Sequence, residues 1–261
     1  MQHHSTEPHP PRKRFGQHFL HDRNVINRIL LAIAPKRDDF LVEIGPGLGA
    51  LTLPLLQVCG TLTAVELDRD VIPRLEADAA DKGTLRVIQG DALRTDYRAL
   101  APAGRKIRLI GNLPYNISTP LLFHLLLQAE VIRDMHFMLQ KEVVRRMAAK
   151  PGGKEYGRLT VMLAAHCRVE PLFAVAAGAF TPTPKVESAF VRLVPCATPA
   201  FPLGDPARFA ALVNQAFSRR RKTLKNALQG LADEAAIRAA GLDPGQRPET
   251  LSAADYARLA G

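Results

Sequence analysis

Cysteine is scarce in this chain: there are three, Cys59, Cys167 and Cys196, an odd number set far apart. Such spacing excludes a disulfide framework and offers no zinc-ligand pattern, so they read as reduced structural thiols and no metal is expected. Long hydrophobic runs are also missing. No stretch reaches the roughly 18 apolar residues of a membrane span. The opening MQHHSTEPHPPRKR lacks the apolar segment of a secretory signal, so a cytoplasmic address and no membrane partner are expected. There is no internal repeat and no low-complexity tract. What is present is 47% apolar content over 261 residues, enough for one α/β domain and a small accessory domain.

Charge is unbalanced, at +10 with histidine neutral. Two dense clusters carry much of it, Arg12-Lys13-Arg14 and Arg219-Arg220-Arg221-Lys222 with Lys225. Clustered cations gain affinity by displacing counterions from phosphates, so a nucleic-acid partner is expected, with Arg220, Arg221 and Lys222 as its phosphate contacts.

Short apolar runs recur about every 20 residues, at Phe40 to Ile44, Leu62 to Glu66, Leu85 to Gln89 and Ile107 to Gly111. Helical patterns follow at Ala50 to Val58, Arg69 to Ala80 and Pro120 to Ala129, the rhythm of a doubly wound parallel sheet that binds ligands at the carboxyl ends of its strands. A fifth strand is expected at Met135 to Leu139, a helix at Gly157 to Ala165, and an edge pair at Cys167 to Val175 and Ser188 to Val194. Between the last two, the prolines of Phe180-Thr181-Pro182-Thr183-Pro184 stiffen a loop that can present an aromatic ring. Prolines crowd 195–206 and mark an expected boundary between an α/β domain (1–198) and an all-helical domain (199–261). In the latter, Phe209, Val213, Phe217, Leu224, Leu228 and Leu231 form one apolar stripe at helical period.

The first strand ends in Glu43-Ile44-Gly45-Pro46-Gly47-Leu48-Gly49, a glycine-rich turn that lets backbone approach a ligand. Alone it also satisfies a dinucleotide fingerprint through Gly45, Gly47 and Ala50, with Glu66 as the ribose acid, which keeps a dehydrogenase in view. Acids at three successive strand ends, Glu43, Glu66 and Asp91, favour another ligand. Carboxylates repel a pyrophosphate but accept from an amino acid, a ribose diol and an adenine amino group, the donors of S-adenosylmethionine.

The fourth strand runs into Asn112-Leu113-Pro114-Tyr115. An exocyclic adenine nitrogen is a poor nucleophile because its lone pair is conjugated into the ring. The Asn112 side-chain oxygen and a carbonyl of Leu113 or Pro114 can accept its N–H groups and favour a tetrahedral nitrogen. Tyr115 can stack on the extruded base, and Phe180 on the stiff loop is expected to cover the other face.

These stretches resemble the KsgA-type family of small-subunit ribosomal RNA adenine N6,N6-dimethyltransferases. Matching segments include 13–20, 42–49, 65–70, 111–120, 137–143, 156–159, Phe180-Thr181-Pro182 with Pro184-Lys185-Val186, and Phe217 with 220–224. The resemblance implies a Rossmann-like class I S-adenosylmethionine methyltransferase sheet with a small helical domain. It implies dimethylation of two adjacent adenosines near the 3′ end of 16S ribosomal RNA, within a pre-30S or 30S particle. It also implies cofactor contacts from His18, where the family often has asparagine, and from Leu20, Gly45, Glu66, Asp91 and Asn112. A large-subunit adenine methyltransferase and a ribosome-assembly factor with little catalysis stand as alternatives. Nothing suggests an oligomer, so a monomer is the default.

Overall fold

The structure, a computed structural model, describes residues 18–198 and 200–261. The cluster Arg12 to Arg14 and most of the motif at 13–20 lie outside the described residues. In chain order the elements are β1 (Phe19–Leu20), α1 (Arg23–Ile33), β2 (Phe40–Ile44), α2 (Thr52–Cys59), β3 (Thr61–Glu66), α3 (Ile72–Ala79) and β4 (Thr84–Gln89). There follow β5 (Ile107–Asn112), α4 (Ser118–Leu126), β6 (Ile132–Gln140), α5 (Lys141–Met147), α6 (Arg158–His166), β7 (Cys167–Val175), β8 (Phe180–Thr181) and β9 (Ser188–Pro195). The last four helices are α7 (Pro206–Ser218), α8 (Leu224–Ala227), α9 (Glu234–Ala239) and α10 (Ala253–Ala260). No described helix is long and apolar enough to cross a membrane.

Seven strands are hydrogen-bonded in the order β4-β3-β2-β5-β6-β9-β7. The pairs β2–β3, β3–β4, β2–β5 and β5–β6 are parallel. The chain steps outward from β2 to β4 and then returns to the other side of β2 as β5. That reversal opens a crevice above the carboxyl ends of β2 and β5. Gly111 lets the two strands lie close: a Cβ there would sit 2.5 Å from the Ile44 carbonyl oxygen.

Helix α1 and the short β1–β8 pair have no counterpart in the expectations above. Asp22 starts α1 by accepting from the amides of Asn24 and Val25. Val25, Ile29 and Ile33, four apart, face the apolar core. At its end Ala34 turns left-handed (φ 45°), and the Ile33 carbonyl accepts from Arg108 Nη2 at 2.7 Å. Arg108 is buried and also binds Asp39 at 2.6 Å and Asp134 at 2.9 Å, so its charge is matched inside the protein.

The described residues fold into two compact units. One comprises the chain up to Lys141 with Leu172–Phe190, the other Glu142–Pro171 with Val191–Gly261. Segment 142–171 thus groups with the helices beyond the proline-rich stretch, so the units are not two contiguous pieces meeting there. The core of the second unit gathers Val161, Phe209, Val213, Leu224, Leu228 and Tyr256. The single apolar stripe is corrected: Arg219 to Thr223 break the helix between α7 and α8, and Leu231 is 39% exposed. A helix continuing through those residues would keep one phase; the turn resets it.

Candidate active site

A cavity of about 1360 Å³ opens above the carboxyl ends of β2, β3, β4 and β5 in the first unit. Its lining includes His18, Leu20, Gly45, Gly47, Glu66, Asp91, Asn112, Leu113, Pro114 and Tyr115, which brings together nearly all the sequence-derived candidates. Phe180 is the exception. It pairs across β1 with Leu20, is 1% exposed, and packs in the core with Leu20, Val175 and Phe190. Successive strand residues point to opposite faces, so its neighbour Thr181 lines the cavity instead.

At the glycine-rich end, Gly45 (φ 67°) and Gly47 (φ 54°) are left-handed. A Cβ on Gly45 would meet nothing within 4 Å. Glu66 braces the loop, one carboxylate oxygen accepting from Gly47 N at 3.1 Å and the other from Asp68 N at 2.8 Å. Its exposed neighbour Leu67 also lines the cavity, an apolar surface directly after the strand-end acid that sequence reasoning passed over. Burial raises the Glu66 pKa, with the nearby Asp68 charge adding to the rise, against the backbone N–H donors of Asp68, Gly47 and Leu67 that lower it. Glu43, 2% exposed, accepts from Thr52 Oγ1 at 2.6 Å. Burial pushes its carboxyl up to about 7, with the nearby Glu66 charge adding to the rise and the Thr52 hydrogen bond opposing it. Asp91 uses Oδ1 to hold Leu93 N at 2.9 Å. Glu43 and Glu66 lie in the last residues of β2 and β3 and Asp91 just beyond β4, and their carboxyl oxygens retain lone pairs, so they suit a ligand rich in hydroxyl and amino donors.

At the other end, Asn112 Nδ2 donates to the His18 carbonyl at 2.8 Å, which leaves Oδ1 as the acceptor of that amide. The Pro114 carbonyl already accepts from Ile117 N at 3.2 Å and Ser118 Oγ at 3.0 Å, closing a turn onto α4. The Leu113 amide donates to the Met138 carbonyl at 3.1 Å, while its own carbonyl takes no hydrogen bond among the described residues. Of the two candidate carbonyls, Leu113 is therefore the one with free capacity among the described residues. Tyr115 stacks on the His18 ring, centroids 5.6 Å apart, and its hydroxyl shares a 2.9 Å hydrogen bond with Ser188 Oγ. Burial raises the Tyr115 pKa, with the Ser188 contact lowering it in part.

In the second unit, Arg219, Arg221 and Lys222 are exposed around a hollow that also contains Asn226 and Gln229. Arg220 lies there too but is turned to internal partners. Its guanidinium donates to the carbonyls of Gly153 and Lys154 and lies 3.8 Å from Glu249. The basic run thus contains one arginine held by its own fold and three cations facing solvent.

The strand order, the glycine turn at the point of reversal and the aligned carboxylates define an α/β fold of the class I S-adenosylmethionine methyltransferases. Solved structures agree. A dimethyladenosine transferase from Plasmodium falciparum superposes with TM-score 0.76 at 27% identity, covering 93% of this chain and 96% of that one. The 23S rRNA methyltransferase ErmE does so with TM-score 0.68 at 26% identity, covering 93% and 98%. Ribosomal RNA small subunit methyltransferase A of Nitrosococcus oceani is 57% identical over 98% of this chain and 97% of its own length. The protein of the same name from Pseudomonas putida is 56% identical over 97% and 94%. The family model for ribosomal RNA adenine dimethylase matches residues 9–261, and the chain belongs to that family.

Proposed function

We propose that this protein transfers methyl groups from S-adenosylmethionine to N6 of two adjacent adenosines near the 3′ end of 16S ribosomal RNA, during small-subunit biogenesis. The observation that carries the reading is the Asn112 amide, whose nitrogen is held by the His18 carbonyl so that its oxygen is reserved for an N–H donor at the cavity wall. Glu66 and Asp91 would hold the ribose and adenine of the cofactor, with Gly45, Gly47, His18 and Leu20 shaping its bed. When bound, the cofactor supplies a methyl group made electrophilic by its sulfonium.

The residues of the chain then act on the acceptor. Asn112 Oδ1 and the Leu113 carbonyl accept the N6 hydrogens and draw the nitrogen towards a tetrahedral shape, which frees its lone pair for attack. Stacking on Tyr115 holds the base out of its own strand, and burial of the walls excludes water from the reacting atoms. The alkylated nitrogen is acidic and loses its proton to water, so no strong base is required. Arg221 and Lys222, with Arg219, would engage RNA phosphates; Arg220 supports them from within. A second reading, methylation of large-subunit RNA, draws on the likeness to ErmE, but the full-length relatives at 56 to 57% identity bear the small-subunit name. Binding the particle as an assembly factor is compatible with slow methylation.

The test is to supply labelled S-adenosylmethionine with undermethylated small or large subunits and map modified bases by reverse-transcription stops. Label in small subunits, with stops at two adjacent adenosines, is expected. Label in large subunits alone would overturn the substrate.

A further inference from the structure

Tyr115 is held at its hydroxyl by a serine that no motif brought to notice and on its face by His18. Its hydroxyl meets Ser188 Oγ at 2.9 Å, and Ser188 is fully buried at the start of β9. Ser188 is itself set in place by its neighbour: Glu187 accepts at its carbonyl from Lys141 N at 2.9 Å and at its carboxylate from Lys141 Nζ at 2.7 Å. Across the ring, His18 stacks on Tyr115 while its Nδ1 lies 2.6 Å from the Pro182 carbonyl. The ring plane is thus fixed by one hydrogen bond at its rim and one aromatic contact on its face.

We infer that Ser188 is a positioning residue for methyl transfer and acts through the Tyr115 hydroxyl, presetting the ring against which the acceptor base stacks. This rests on the proposal that Tyr115 receives the base. A phenol ring attached through two rotatable bonds would otherwise sample several orientations, and ordering it only when the base arrives would weaken capture. The two hydroxyls are coupled: replacing Ser188 by alanine leaves the half-buried phenol without its partner, and replacing Tyr115 by phenylalanine leaves the buried serine without its own. Ser188 does not line the cavity, so it reaches the base only through Tyr115.

Ser188→Ala, Tyr115→Phe and the double variant test the inference in the full chain. On undermethylated small subunits at saturating S-adenosylmethionine, each single variant is expected to raise KM for RNA or lower kcat by about two- to tenfold, the span of one buried hydrogen bond. The double variant is expected to be no worse than the poorer single one. The dissociation constant for S-adenosylmethionine, read by calorimetry, should stay at the wild-type value. In protein carrying 13C-labelled tyrosine and no RNA, the ring resonance of Tyr115 should move in Ser188→Ala. Wild-type kinetics in Ser188→Ala, additive losses in the double variant or an unmoved resonance would each overturn the positioning role. A resonance that moves in a protein that methylates no ribosomal RNA would support the contact and sink the proposed function instead.

Discussion

Replacing Glu43 by glutamine should make the protein more stable in alkaline than in acid solution relative to the parent. Glu43 is 2% exposed, and its pKa rises from 4.5 to about 7 on folding because burial disfavours the carboxylate. The folded state therefore holds a proton that the unfolded chain releases. Stability from this group is complete below about pH 4.5 and is lost as pH rises through about 7. A shift of about 2.5 units corresponds to a total of roughly 3 kcal/mol, and most of it falls between about pH 5 and 8. Glutamine keeps an oxygen for the Thr52 hydroxyl and carries no charge, so the penalty should vanish. Urea unfolding of both proteins at pH 5 and 8 measures it: the parent should lose about 2.5 kcal/mol more than Glu43→Gln across that interval. Equal pH dependence in the two proteins would refute the assignment of a buried, protonated Glu43.

Arg108→Met should cost about 3 to 5 kcal/mol in urea titrations, because buried Asp39 and Asp134 would each lose the guanidinium between them, Asp39 keeping only Arg133 at its other oxygen. By contrast, Arg98→Met, which breaks an exposed pair with Glu130, should cost no more than about 1 kcal/mol. Asn112→Ala should keep S-adenosylmethionine affinity within a few-fold by calorimetry, yet lower methyl transfer by about 100-fold or more, since an acceptor for the developing charge is gone. Full activity would remove Asn112 from the chemistry. Neutralising Arg219, Arg221 and Lys222 together should lower the slope of log affinity for RNA against log salt by about two to three. Arg220→Ala should instead lower the melting temperature, as the loop at Gly153 and Lys154 loses its anchor.

Much of the parallel sheet was legible because each buried strand must be apolar on both faces and each connecting helix carries its own period. β2 begins and ends where the apolar run does, at Phe40 and Ile44. The ligand edge was legible too, since strand ends, the glycine turn and the acids Glu66 and Asp91 are local features of the chain. Helix α1 escaped notice although Asp22 and the spacing of Val25, Ile29 and Ile33 are local signals for it. The β1–β8 pair could not be read in that way, because two-residue strands carry no period of their own.

What the chain by itself determined was the kind of ligand and the kind of chemistry: residue types at strand ends, one Asn-Leu-Pro-Tyr turn, and clustered cations. Tertiary structure alone decided which of these groups are free to act. Phe180 is an aromatic on a proline-stiffened loop in sequence, but pairing with Leu20 turns it into the core. Arg220 and Arg221 are adjacent and alike, yet only Arg220 finds carbonyls at Gly153 and Lys154. Tyr115 and Ser188 lie 73 residues apart, and nothing local to either announces their hydrogen bond. The physical reason is common to all three. Local sequence sets backbone conformation and chemical capacity, whereas a hydrogen bond or buried ring depends on a partner that only long-range packing brings within reach.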